Sequence, residues 1–498
     1  MMATNNTRQA TWVAIGRFLA YAVGIVTPMI FSRFFTKGDY GTYKQVMYVY
    51  STLLVVFMLG LPQSYSYFIP KHPLSKSKDI INKITLLFTG LGALFSIFLF
   101  LGAGAIASLL KNPDLETALK VFSPAPMLLL PTMGLDGIFA SFKRTHLLAV
   151  YTIVTKILTV ACMIIPVVCF RGNYIHAIIG FDVASLATCV IALAMRNIPV
   201  RGVPGEKSGV TYRDIFKFAI PLFHASIWGV IIASANQFFV SRYYGNEVFA
   251  DFSNGYQELP FAAMVVAGVG TVLFPLFSKM DRDGKMTGEI YDTWNSSLVK
   301  SAKIIFPMLV FSVFFARLVM TCLYSNVYSA STIYFQIKNL GSLLYIIPFS
   351  PIILAIGRTR QYANVHLAIA VLIVLVEYLA VRIDSGPVII AVISEFCQLL
   401  KIYLLMRIVS DYSGMSVARL IPGKKLGVIL LASGVAGMSS YFIIRLLSVN
   451  KFILLALALA LFCVIYYVLC RVLKIKYKEI VSDLLGEYVS PSLLKLIP

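Results

Sequence analysis

Charge is scarce in this chain: Asp, Glu, Lys and Arg make up 13% of its 498 residues, against roughly 25% in a soluble domain. Acidic residues are the scarcest, 22 against 43 basic ones, for a net charge of +21. Catalytic and nucleotide motifs are missing as well. There is no GxxxxGKS/T and no GxGxxG, which excludes an ATP-driven pump or a dinucleotide enzyme built on those loops. The five histidines form no HExxH and no cluster with cysteine, so a metal site has no support. The seven cysteines are dispersed through apolar runs without close pairing and read as small buried hydrophobes. What remains is apolar: 59% of the residues are hydrophobic, and the mean hydropathy is +0.82.

A membrane span needs about 20 mainly apolar residues, and fourteen stretches qualify. They are Trp12–Phe31, Val46–Ile69, Ile84–Leu110, Val121–Ser141, Leu147–Phe170, Tyr174–Met195, Ile215–Val240, Gly255–Phe277, Ile304–Tyr324, Ile333–Ile356, Tyr362–Val381, Pro387–Met406, Leu426–Leu447 and Phe452–Cys470. The first is followed by Arg33 and Lys37 rather than by a small-residue cleavage site, so it reads as a span and not as a signal peptide. With these spans, 29 basic residues fall on the side of both termini, 10 on the other, and Arg17, Lys156, Arg317 and Lys338 within spans. Both termini are therefore expected in the cytoplasm. The positive charge follows from topology, and nucleic acid drops out as a partner.

Two stretches echo each other. Ser32–Tyr43 reads SRFFTKGDYGTY and, 209 residues later, Ser241–Phe252 reads SRYYGNEVFADF, keeping the Ser-Arg pair and four aromatic positions. Arg144-Thr145 and Arg358-Thr359 repeat at an offset of 214. A duplicated unit of six spans is expected, with both copies entering the membrane from the same side. The fold class is an all-α polytopic membrane protein. Its expected parts are a six-helix bundle at 1–200, a cytoplasmic linker at 201–214, a second bundle at 215–407, an additional helix pair at 408–471 and a cytoplasmic amphipathic tail at 472–498.

Polar groups within the spans are the candidate site residues, because each costs about 2.5–3.5 kcal/mol at a helix centre unless it meets a cavity or a partner. A cavity presenting arginine and lysine suits an anionic head group such as a diphosphate. Arg17, Gln63, Asn236, Gln257, Arg317 and Lys338 are the expected substrate-binding residues. Asp182 and Glu395 are 213 residues apart, and each lies about 12 Å below the outer end of its span. Lys156 reaches nearly the depth of Asp182, so that acid is expected to be paired and structural. Glu395 has no basic residue at its depth in the preceding span, where Ala370 stands in place of Lys156. Glu395, with Glu377, is the expected proton or cation site.

Ser32–Gln45, Phe139–Leu158 and Phe216–Pro260 resemble the polysaccharide transporter family of lipid-linked oligosaccharide flippases, in the multidrug/oligosaccharidyl-lipid/polysaccharide exporter superfamily. That resemblance implies a V-shaped pair of bundles with a central cavity, rocking between inward-open and outward-open states. The implied activity is transport rather than catalysis. An undecaprenyl-diphosphate-linked O-antigen, capsule or exopolysaccharide unit would cross a bacterial inner membrane, with polymerase and assembly proteins as partners. No cofactor is implied, and the choice between a proton and a sodium gradient stays open. A drug/cation antiporter and a peptidoglycan-precursor flippase of the same superfamily are the alternatives. A membrane glycosyltransferase or polymerase fits less well, since no long outer loop is present.

Overall fold

The computed structural model describes residues 2–266, 289–346 and 356–477, together with Val269, Gly270, Leu273, Phe277, Ile352 and Ile353; side chains at 2–15, 17, 225 and 289–291 lie outside the description. No strand occurs among the described residues. The chain divides into two compact units, residues 1–250 and 251–498. Ten described helices are long and apolar enough to cross a membrane, or eleven if one bent helix counts as a span. Parts of the expected spans Gly255–Phe277 and Ile333–Ile356, and most of the expected tail at 472–498, lie outside the described residues.

The first unit holds α1 (Met2–Phe34), α2 (Lys37–Met58), α3 (Pro62–Phe68), α4 (Leu74–Leu109), α5 (Asp114–Phe122), α6 (Pro124–Leu129), α7 (Leu135–Ser141), α8 (Thr145–Cys169), α9 (Tyr174–Met195) and most of α10 (Tyr212–Gly255). Local chemistry sets their ends. Thr36 caps α2 by accepting from the Asp39 amide at 3.1 Å, and Leu59 in the left-handed region ends it. Asn173 and His176 form a capping box on α9. Helix α1 packs along α8, with Gly16 against Ala149 and Gly24 against Lys156. Both pairs advance along the two chains in the same direction, so α1 and α8 run parallel, as two odd-numbered spans must.

The expected fourth span is broken into α5, α6, a 3₁₀ turn at Leu130–Thr132, and α7. Pro124 and Pro131 remove donors that a continuous helix would need, and Gly134 at φ +86° turns the chain between pieces. Such irregular backbone survives at membrane depth only where protein surrounds it. In agreement, 61% of the apolar window in Asp114–Ser141 is buried, with α4 and α9 packed against its pieces.

The second unit contains α11 (Glu289–Phe314), α12 (Ala316–Tyr324), α13 (Ser331–Ser342), α14 (Thr359–Arg382), α15 (Pro387–Ser413), α16 (Gly423–Arg445) and α17 (Lys451–Val472), preceded by a short helical stretch at 260–266. Its core joins Leu298, Ile305 and Leu309 of α11 to Leu405 and Val409 of α15 and Ile429 of α16. Outward faces of both units are apolar. Leu101, Phe170, Ile383 and Leu446 are 76–84% exposed, which suits lipid and not water. Helix α17 is the extreme case, with only 11% of its apolar window buried. Cys169 and Cys463, expected among the buried cysteines, face outward in the same way.

Candidate functional site

A buried charged cluster lies within the second unit. Gly386 at φ +86° and Pro387 at the first turn start α15 and carry Glu395 two turns into the helix, where it is 5% exposed. Lys338 of α13, 6% exposed, lies 3.1 Å from Glu395 Oε1. Tyr256, just beyond α10, donates its hydroxyl to Oε1 at 2.5 Å, and Tyr345, in the turn after α13, donates to Oε2 at 2.5 Å. The Lys338 ammonium also reaches Glu258 at 3.3 Å. It sits 4.9 and 5.0 Å from the ring centroids of Tyr256 and Tyr345, close enough for cation–π attraction.

Gly341, one turn along α13 from Lys338, makes this approach possible. A methyl group there would stand 2.0 Å from Glu395 Oε2 and 2.7 Å from its Cδ. Lys338 thus pairs with the buried Glu395 and reaches the half-exposed Glu258, and protonation of Glu395 or entry of a cation must rearrange these contacts. The cluster opens where Glu258 is half exposed, beside a cavity of about 320 Å³ walled by Tyr345, Ser342, Ala262 and Ile305.

This geometry corrects the expectation that Glu395 lacks a basic partner. The preceding span has no basic residue at that depth; the partner comes instead from α13, which packs on α15. Glu377 of α14 is fully buried and belongs to a separate contact. It accepts from Ser394 at 2.6 Å, and its Oε2 has no partner among the described residues. Ser394 and Glu395 project about 100° apart around α15, so the two carboxylates face different neighbours.

The expected pairing of Asp182 with Lys156 is also corrected. No ion pair joins them among the described residues. Asp182 Oδ1 is buried without a partner, and Lys156 lies along α1, its ammonium 3.4 Å from where a Gly24 methyl would be. Equal depth fixes height but not azimuth, and the Lys156 face of α8 turns toward α1.

Of the remaining expected substrate residues, two described side chains belong to the first unit and two to the second. Gln63 is exposed on α3. Asn236 is 2% exposed on α10, with Oδ1 buried and unpartnered. Gln257 is exposed and donates to Ser253 O at 2.6 Å. Arg317 is exposed and borders a cavity of about 530 Å³ with Tyr441 and Arg445. The Arg17 side chain lies outside the described residues.

Within the first unit, the two echoing stretches meet. Asn246 of α10 donates to Gly38 O at 3.2 Å and to Thr42 Oγ1 at 3.3 Å. Gly41 approaches so closely that a methyl group would stand 2.1 Å from Asn246 O. Gln45, fully buried, donates to Ser241 at 2.8 Å and accepts from Asn112 at 2.5 Å. Tyr48 packs edge-on to Phe249, with centroids 5.8 Å apart. Sequence reasoning missed Gln45, Asn112, Tyr345 and Gly341. Gln45 and Asn112 sit at span ends, where polar residues carry no insertion cost that would single them out.

Comparison with known proteins completes the picture. A family model described as "Polysaccharide biosynthesis protein" matches residues 7–281. No curated protein matches the chain. Among solved structures, the lipid II flippase MurJ in an inward closed conformation is similar at a TM-score of 0.68 and 16% identity, over 93% of this chain and 99% of that one. An inward-facing multidrug resistance MATE transporter is similar at 0.62 and 9%, over 81% and 99%. A MOP superfamily transporter from Pyrococcus furiosus is similar at 0.58 and 11%, over 82% and 96%. These likenesses show a transporter fold. Because the family model covers more than half of its residues, the chain belongs to the polysaccharide biosynthesis protein family.

Proposed function

We propose that this protein is a flippase that moves an undecaprenyl-diphosphate-linked oligosaccharide from the cytoplasmic to the outer leaflet of a bacterial inner membrane. The observation that carries this reading is the match to the polysaccharide biosynthesis family on a chain with the flippase and transporter fold. Access to the substrate alternates between the two leaflets, no bond is made or broken, and both termini are cytoplasmic. Arg17 holds the diphosphate as a planar guanidinium fork, with Gln63, Asn236 and Gln257 as hydrogen-bonding neighbours. The cluster around Glu395 couples transport to a proton or sodium gradient.

The test is translocation of fluorescent lipid-linked oligosaccharide in vesicles reconstituted with the purified protein. The parent is expected to flip it, Arg17→Ala to lose most of that activity at normal membrane levels, and Arg17→Lys to recover part. A parent that moves only peptidoglycan precursor, or only organic cations, would replace the proposed substrate with that one. Orientation is checked separately by single-cysteine labelling in a cysteine-free background. Positions 207 and 424 should react only from the cytoplasmic side and position 326 only from outside, and external labelling at 207 would reverse the assignment.

A further inference from the structure

A second polar site, unrelated to the Glu395 cluster, lies at one end of the second unit. Six lysines border a single cavity of about 830 Å³: Lys300 and Lys303 of α11, Lys424 and Lys425 in the first turn of α16, and Lys474 and Lys476 just after α17. One carboxylate, Asp292, is also on its wall. The three segments are far apart in sequence, and specific contacts bring them together. Lys474, at φ +54°, turns the chain back after α17, and Ile475 donates to Cys470 O at 2.9 Å and is buried. Tyr477 then donates to Lys303 O at 2.5 Å, while the Lys303 ammonium donates to Lys476 O at 2.5 Å. Trp294 of α11, next in sequence to Asn295 of the wall, donates to Leu420 O at 3.2 Å and ties down the loop before α16. The lysines are therefore held around a fixed space.

A bias of lysine toward one membrane face explains how many there are. It does not explain convergence of six on one cavity with a single acid among the described residues of its wall, because like charges at close range repel and favour separation. The first turn of α16 adds the positive end of a 23-residue helix. The cavity is also amphipathic. Val428, Ile429 and Leu473 belong to its wall, and Val428 continues into an exposed apolar strip at Leu431 and Val435 of α16. A free anion needs only the lysines; a lipid uses both surfaces.

We propose that this cavity binds the phosphate of an anionic phospholipid headgroup, with an acyl chain lying along α16. Lysine suits the task, since its flexible point charges adapt to phosphate without demanding the planar geometry of arginine. The bound lipid neutralises the cluster and fastens the ends of α16 and α17 to α11.

The experiment is native mass spectrometry of the full chain released from nanodiscs of zwitterionic lipid doped with a two-phosphate phospholipid. Wild type is expected to retain the anionic lipid. Lys424→Gln, Lys425→Gln, Lys474→Gln and Lys476→Gln combined should lower retention at least about tenfold, against a full loss of about 600-fold if each lysine contributes a factor of about five. The same four positions changed to Arg should retain it, which separates charge from misfolding. A control with Lys76, Lys78, Lys143 and Lys207 of the first unit changed to Gln, none of which lines the cavity, should lose little. Equal loss in control and cavity variants, or undiminished retention in the cavity variant, overturns the proposal. A parallel arm adds pyrophosphate to protein in lipid-free detergent. Lysine-dependent uptake of pyrophosphate with no retained lipid would keep the phosphate site and make its source soluble.

Discussion

Lys338→Met is expected to destabilise the second unit by about 3–5 kcal/mol, the usual consequence of removing one partner from a buried ion pair. In this chain the stranded group would be Glu395, still held by the Tyr256 and Tyr345 hydroxyls but without the ammonium 3.1 Å away. Glu395→Gln should cost less, because Lys338 keeps Glu258 at 3.3 Å on the cluster's open side. The double variant Lys338→Met/Glu395→Gln should be more stable than Lys338→Met alone, since no buried charge is left unpaired. Thermal unfolding of all three in one detergent measures this, and a Lys338→Met protein as stable as the parent would show that the pair contributes nothing. The same variants separate strut from coupling site in vesicles with an imposed gradient. If the double variant recovers stability yet transports without regard to the gradient, the cluster couples; if it keeps the parent's gradient dependence, the cluster is structural.

Gly41→Ala should damage the first unit by about 1–3 kcal/mol or more, the range for overpacked interiors. The added methyl would meet Asn246 O at 2.1 Å and Asn246 C at 2.6 Å. Both are backbone atoms, so relief requires α2 and α10 to separate and not merely a side chain to rotate. Separation stretches the bonds from Asn246 to Gly38 and Thr42 and the Asn112–Gln45–Ser241 chain. Gly90→Ala in α4 is the matching control, because a methyl there has no neighbour within 4 Å, and the change should be neutral or stabilising by about 0.4–1 kcal/mol. Equal melting temperatures for the two variants would remove the close α2–α10 approach as a source of stability.

Much of this fold is legible in the chain. Apolar runs give the helices directly, since a spanning backbone must bond within itself, and the paired stretches at Ser32–Tyr43 and Ser241–Phe252 are segments that touch each other. The prolines at 124 and 131 were visible too, but a 20-residue hydropathy reading treats a broken span as a whole one. Azimuth was the quantity lost. Counting residues from a membrane surface places Lys156 at the level of Asp182, yet only the packing of α8 on α1 decides which way its ammonium turns. In the same way the helix before α15 offers Glu395 no basic residue, and its lysine comes from α13. Gly341 carries no chemical group at all, so its part in the site exists only as the room it leaves.

The broken fourth span has a consequence for how the protein is made. Its pieces expose backbone groups that lipid cannot satisfy, and α4 and α9 supply the enclosure. Helix α9 is synthesised after that span, so a nascent chain ending before Tyr174 holds a segment with no stable residence in the bilayer. Asp114–Ser141 is therefore expected to be stable in the bilayer only once the α8–α9 hairpin has arrived, while α17, mostly exposed to lipid, needs no such enclosure.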